Sequence, residues 1–123
     1  MNRPRRDERG SGTVYALGVL TVLLAAAVGI AGLIQAQSAT GRARAAADLA
    51  AISGATVLSS VIAPGDPCAM AQRVAAANGA SVSACSVAGE DVTVSVTVPA
   101  TILGLPRQAA AQARAGPVDA PPG

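Results

Sequence analysis

Residues 14–34 read VYALGVLTVLLAAAVGIAGLI, 21 residues with no charge and no proline. At ~1.5 Å rise per helical residue the run is about 31 Å long, the thickness of a bilayer's hydrocarbon core. Its most polar side chains are Tyr15 and Thr21, and a threonine hydroxyl can bond back to the preceding helical turn. In lipid a lone segment satisfies its own backbone groups only as a helix. The sequence therefore predicts one membrane helix, with residues 13–36 as its span.

The flanks set its direction. Arg3, Arg5, Arg6 and Arg9 precede the run beside Asp7 and Glu8, and the first cations after it are Arg42 and Arg44. By the positive-inside bias the leader, residues 1–12, is cytoplasmic and residues 35–123 lie outside.

Composition limits what the outer part can be. The chain has no Phe, Trp, His or Lys, and its one Tyr is at the membrane run. A core of Val, Leu, Ile and Ala buries little area per residue, and so small a domain gains from a crosslink, an anchor or partners. The net charge of +2 comes from the leader, because residues 35–123 hold five arginines and five acids. No basic face carries interleaved aromatics, so nucleic acid is not an expected partner.

Catalysis and cofactor binding find no candidates. Histidine, the usual general base, is absent, and so is lysine for Schiff-base or Ser-Lys chemistry. Asp48, Asp66, Glu90 and Asp91 have the structural roles of helix surface, cap and turn. No phosphate-binding glycine motif occurs. We expect no enzyme, no cofactor, no metal and no small-molecule substrate.

Cys68 and Cys85 are the only cysteines. Two cysteines on an exported side most often pair, and closing this loop contributes ~3 kcal/mol in the chain-entropy estimate. Two free buried thiols are the alternative. Zinc lacks two further ligands.

Along the chain, helix formers continue from Gln35 to Ser60, interrupted only by Gly41 and Gly54, which weaken a helix without ending it. One helix over roughly 13–60 follows, with residues 37–60 outside the membrane. Ala45, Leu49 and Ile52 share one face at i, i+4, i+7. Pro64-Gly65-Asp66-Pro67 breaks the helix. Asp66 suits an N-cap and Pro67 the first helical position, giving a short helix to Asn78-Gly79 with Met70 and Val74 as its apolar stripe. Val92–Val98 alternates strictly, a strand signal. It pairs with Ser81–Val87 across a short loop and ends at Pro99. The alanines of Arg107–Ala115 favour a helix and its alternation favours a strand; we read a third strand. The fold class is α+β: a long N-terminal transmembrane helix continuing into a small extracytoplasmic domain, residues 61–115, of one short helix and a two- to three-stranded antiparallel sheet. Residues 116–123, with three prolines, read as a disordered tail.

Small residues recur four apart in the helix: Ala25 with Gly29, and Gly32 with Ala36. Such ridges let membrane helices approach closely, giving self-association or packing with other membrane proteins. Alanine-rich helices also carry them by chance.

Glu8-Arg9-Gly10-Ser11-Gly12-Thr13-Val14, leading into the uncharged run, resembles the N-terminus of type IV pilin-like proteins, and more specifically TadE/TadG-like proteins of Flp-type (tight adherence) pilus systems. Arg44–Ala55 (RAAADLAAISGA) is similar to the AADAAALAGA segment after the membrane helix in TadG-like members. Pro67-Cys68, Asn78-Gly79, Cys85 and Ala113–Pro117 look like the short actinobacterial TadE-like branch. The resemblance implies a structural or accessory component of a pilus or secretion-associated assembly, with other such membrane proteins and lipid as partners. It also implies prepilin-type cleavage between Gly10 and Ser11, after which the helix is retained. Pilin-like substrates commonly carry Glu at the fifth position after the cut; here that position is Tyr15, which fits an accessory or anchored component better than a major filament subunit. The alternative is a small secreted disulfide-bridged protein whose first 38 residues are a signal peptide ending at Ala36-Gln37-Ser38, although usual signal cores are only ~7–15 residues long.

Overall fold

The computed structural model describes residues 2–117, with side chains from Gly10 onward. The chain forms α1 (Asn2–Ser59), α2 (Pro67–Ala77), β1 (Ser81–Ala88), β2 (Asp91–Ile102) and β3 (Leu105–Ala115). It divides into an N-terminal unit ending at Ile34 and a second unit beginning at Gln35. The fold is α+β as the sequence predicts. α1 begins at Asn2 rather than near residue 13, because Gly10 and Gly12 weaken a helix without stopping it.

In the N-terminal unit the apolar side chains are exposed all round the helix, among them Val14, Leu20, Leu24, Val28 and Ile34. The Thr21 hydroxyl donates to the Leu17 carbonyl at 2.8 Å, satisfying itself within the helix.

The second unit is a sheet of order β1-β2-β3, antiparallel throughout, with both helices contributing to one core. Val92, Val94, Val96 and Val98 of β2 are buried against Ala43, Ala46, Ala47, Ala50 and Ala51 of α1 and Ala71 and Ala75 of α2. The intervening Thr93, Ser95 and Thr97 belong to the other sheet face, with Gln108, Gln112 and Arg114 of β3. One face is packed and one is polar, as an antiparallel sheet permits.

The core face of α1 is not the one the sequence suggests. Ala45, Leu49 and Ile52 are exposed, and the alanine face is buried. A flat row of methyl groups lets the sheet come close, where leucine and isoleucine would hold it away. At Gly54 the approach is tight: a Cβ there would stand 3.0 Å from the Pro67 carbonyl oxygen and 3.2 Å from Val92 Cγ1. In α2 the buried pair is Ala71 and Ala75, while the expected stripe of Met70 and Val74 is only half-buried.

The caps of α2 are those expected. The Asp66 carboxylate accepts from the Cys68 and Ala69 amides at 3.0 and 3.4 Å, and Pro67 takes the first position. At the other end the Ala80 amide reaches the Ala75 carbonyl and the Gly79 amide reaches that of Ala76, with Gly79 at φ 74°. This is the Schellman closure, for which a left-handed glycine is suited.

Pro99 does not end β2, which runs on to Ile102. β1 pairs with β2 only as far as Thr97, so one flank of β2 is open at Pro99 and a residue without an N–H is tolerated there. The expected β3 is present, and its Ala109, Ala111, Ala113 and Ala115 pack on the core. The tail from residue 118 lies outside the described residues.

Candidate functional site

The exposed apolar helix is the feature of this chain that cannot be understood from its own packing. The most apolar stretch of α1 is long and apolar enough to cross a membrane, and almost none of it is buried within the chain. It is therefore not a core helix of the domain that follows. Water leaves so large an apolar surface unfavourably exposed, and a lipid or apolar partner environment removes that cost.

The residues singled out in the sequence fall on this helix as follows. Gly10 and Ser11 are exposed. Tyr15 is exposed near the start of the apolar run. Ala25 and Gly29 lie on an open surface, and a Cβ on Gly29 would meet nothing within 4 Å. Gly32 is buried and Ala36 half-buried. The side chains of Arg3, Arg5, Arg6 and Arg9 lie outside the described residues.

In the second unit the structure joins Cys68 to Cys85, with the two Cα atoms 5.9 Å apart. Local geometry explains how both sulfurs meet. Cys68 sits in the first turn of α2, fixed by the Asp66 cap. A bulge in β1 between Val82 and Ala84 changes the register against β2, so that Val82 opposes Val96 and Cys85 opposes Val94. Both Val82 and Cys85 therefore pack on the helix-covered core, which regular alternation over three residues would forbid.

Two features escaped the sequence reading. The β2–β3 hairpin closes through a two-residue loop, Leu103-Gly104, with both residues left-handed at φ 51° and 78°. Such loops match the twist of the strands and usually carry Asn or Gly, so leucine here is unusual. Its amide donates to the Gln35 side-chain oxygen at 2.7 Å. The second feature is an open cleft of the same unit, lined by Arg42, Pro99, Ala100, Thr101, Pro106, Arg107 and Gln108. The Leu-Gly pair between two strand-like runs was the only available signal for the first. Nothing in the sequence joins Arg42 to Arg107.

Comparison with known proteins bears on the helix. Residues 10–57 match the family model described as "Putative Flp pilus-assembly TadE/G-like". Over residues 10–57 the chain is similar to that family. The matched segment takes in the exposed apolar helix, the buried alanine face as far as Ala51, and Gly54. It includes most of the Glu8–Val14 stretch and all of the Arg44–Ala55 stretch on which the resemblance was read. α2, the sheet and the disulfide lie beyond it. No curated protein and no solved structure matches the chain.

Proposed function

We propose that this protein is a single-pass membrane component of a Flp-type pilus or secretion-associated assembly, with a structural or accessory role. The coincidence of the TadE/G-like match with an apolar helix whose residues 14–31 are all exposed carries this reading. Residues 14–34 span the bilayer. Arg3, Arg5, Arg6 and Arg9 hold the leader in the cytoplasm, and the unit from Gln35 lies outside. The Cys68–Cys85 bond agrees with that side, since disulfides persist in oxidising compartments. Ala25 and Gly29 offer a small-residue ridge to a second copy or to another membrane helix of the assembly. A prepilin-type peptidase would cut between Gly10 and Ser11 and leave the helix in place.

The second reading is secretion after cleavage behind Ser38. One observation favours it: the buried alanine face begins at Ala39, so loss of the first 38 residues would leave the core intact.

Intact-mass measurement on membrane and culture-supernatant fractions separates the two. A membrane-bound species beginning at Met1 or Ser11 supports the anchored component, and one beginning at Ser11 adds peptidase processing. A soluble species beginning at Ala39 overturns the anchor. A reporter fused to the C-terminus checks orientation, and activity of a cytoplasm-only reporter would reverse the assignment.

A further inference from the structure

We propose that the β2–β3 hairpin tip is a second membrane-binding element, which inserts Leu103 and Leu105 into the outer leaflet while Arg42 and Arg107 bind phosphates of anionic lipid. The inference rests on the membrane-anchored reading above and adds to it a site outside the spanning helix.

Position is the first support. Gln35 directly follows the uncharged run that ends at Ile34, and its side chain accepts the Leu103 amide. The hydrogen bond holds the tip beside Gln35, the first residue after that run. β2 runs antiparallel to α1 within this unit, with Val92 beside Gly54 at one end and Leu103 bonded to Gln35 at the other. The whole length of the strand therefore carries this tip towards Gln35.

The residues at the tip are the second support. Leu103 is 49% and Leu105 56% exposed. A β-hairpin loop in water is ordinarily polar, and a leucine held at φ 51° adds backbone strain to that exposure. An interfacial position removes the cost of the exposed side chains, as it does for other shallow apolar anchors.

Charge is the third. Arg42 and Arg107 line one open cleft, and neither forms an ion pair among the described residues. Arg107 lies two residues from Leu105, about 7 Å along the strand. Arg42 lies seven residues from Gln35, about 10 Å along the helix. Long arginine side chains reach back from such positions into the headgroup layer, where a guanidinium meets a phosphate through paired hydrogen bonds. Anionic lipid is thus the favoured ligand.

The chain contains no tryptophan, so one introduced residue reports alone. The full-length protein is reconstituted in nanodiscs of zwitterionic phospholipid with and without phosphatidylglycerol, and with lipids brominated at defined depths. Four variants are compared: Leu103→Trp, Leu105→Trp, Leu24→Trp in the spanning run, and Val61→Trp in the exposed loop after α1. Leu105→Trp guards against failure of the strained position 103 to accept the larger ring.

With phosphatidylglycerol, position 105 is expected to shift to the blue and lose emission to shallow bromines, while position 61 does neither. Adding Arg42→Gln and Arg107→Gln should return the position 105 signal towards that of water. Quenching at 24 without quenching at 103 or 105 overturns the hairpin anchor and leaves the membrane reading standing. An unquenched position 24 overturns the membrane reading itself. Quenching at 105 that ignores both phosphatidylglycerol and the arginine changes overturns the phosphate-binding part.

Discussion

Gly54 of α1 faces the Pro67 carbonyl so closely that a methyl group on it would stand 3.0 Å from that oxygen. Helix propensity alone makes Gly54→Ala stabilising by up to ~1 kcal/mol. Overpacking against backbone costs ~1–3 kcal/mol, and neither the carbonyl nor Val92 can swing aside as a surface side chain would. We expect a net loss of about 1 kcal/mol. Gly41→Ala is the control: its Cβ would meet nothing within 4 Å, so a gain of ~0.5–1 kcal/mol is expected. Denaturant unfolding of both variants reads the difference. A stabilised Gly54→Ala protein would contradict the packing described here.

The two apolar faces of α1 make opposite predictions. Leu49→Ala removes an exposed side chain and should change stability by no more than ~0.5 kcal/mol. Ala50→Leu places three extra carbons into a fully buried position and should cost ~1–3 kcal/mol or more. Unfolding midpoints of the pair check which face meets the sheet, and the reverse order would restore the face read from the sequence.

Loss of the disulfide should loosen α2 before the sheet. The bond ties the first turn of α2 to β1, and the two residues that α2 buries fully, Ala71 and Ala75, are small. Cys68→Ser with Cys85→Ser is expected to cost ~3 kcal/mol. Hydrogen exchange should show the amides of Cys68–Ala77 losing protection ahead of those of β2. Simultaneous loss in both elements would mean that the bond braces the whole unit rather than one helix.

Self-association is tested at Gly29. Substitution by leucine creates no clash within the described chain, since nothing lies within 4 Å of its Cβ. If the Ala25–Gly29 ridge packs against a second copy, Gly29→Leu should weaken the signal in a membrane two-hybrid assay, by an amount corresponding to ~1–2 kcal/mol of lost close approach. An unchanged signal would assign these small residues to composition rather than to contact.

What could be read from the sequence were features fixed by nearest neighbours along the chain. The apolar run of residues 14–34 has one conformation open to it in lipid. The strict alternation of Val92–Val98 has one period. The Asp66-Pro67 start and Asn78-Gly79 stop of α2 are built from groups within a few residues of each other, and all four residues take the places their chemistry dictates. Alanine carries no such instruction. Arg107–Ala115 was ambiguous in isolation, and it becomes a strand because β2 offers a ladder from Val92 to Ile102. For the same reason the sequence misjudged α1: hydrophobicity ranks Leu49 and Ile52 above Ala46 and Ala50, but the approach of a sheet selects for the flattest face. Pro99 stays within a strand because its neighbour β1 ends first, a fact about another part of the chain. The sequence by itself determined the apolar helix, the helix–helix–strand–strand order and the caps, because these depend on local covalent geometry and on solvent. Only the tertiary structure decided which face of α1 is core, how a bulge at Val82/Ala84 brings Cys85 to Cys68, and that Leu103 is held at Gln35, because each depends on distance between residues far apart in sequence.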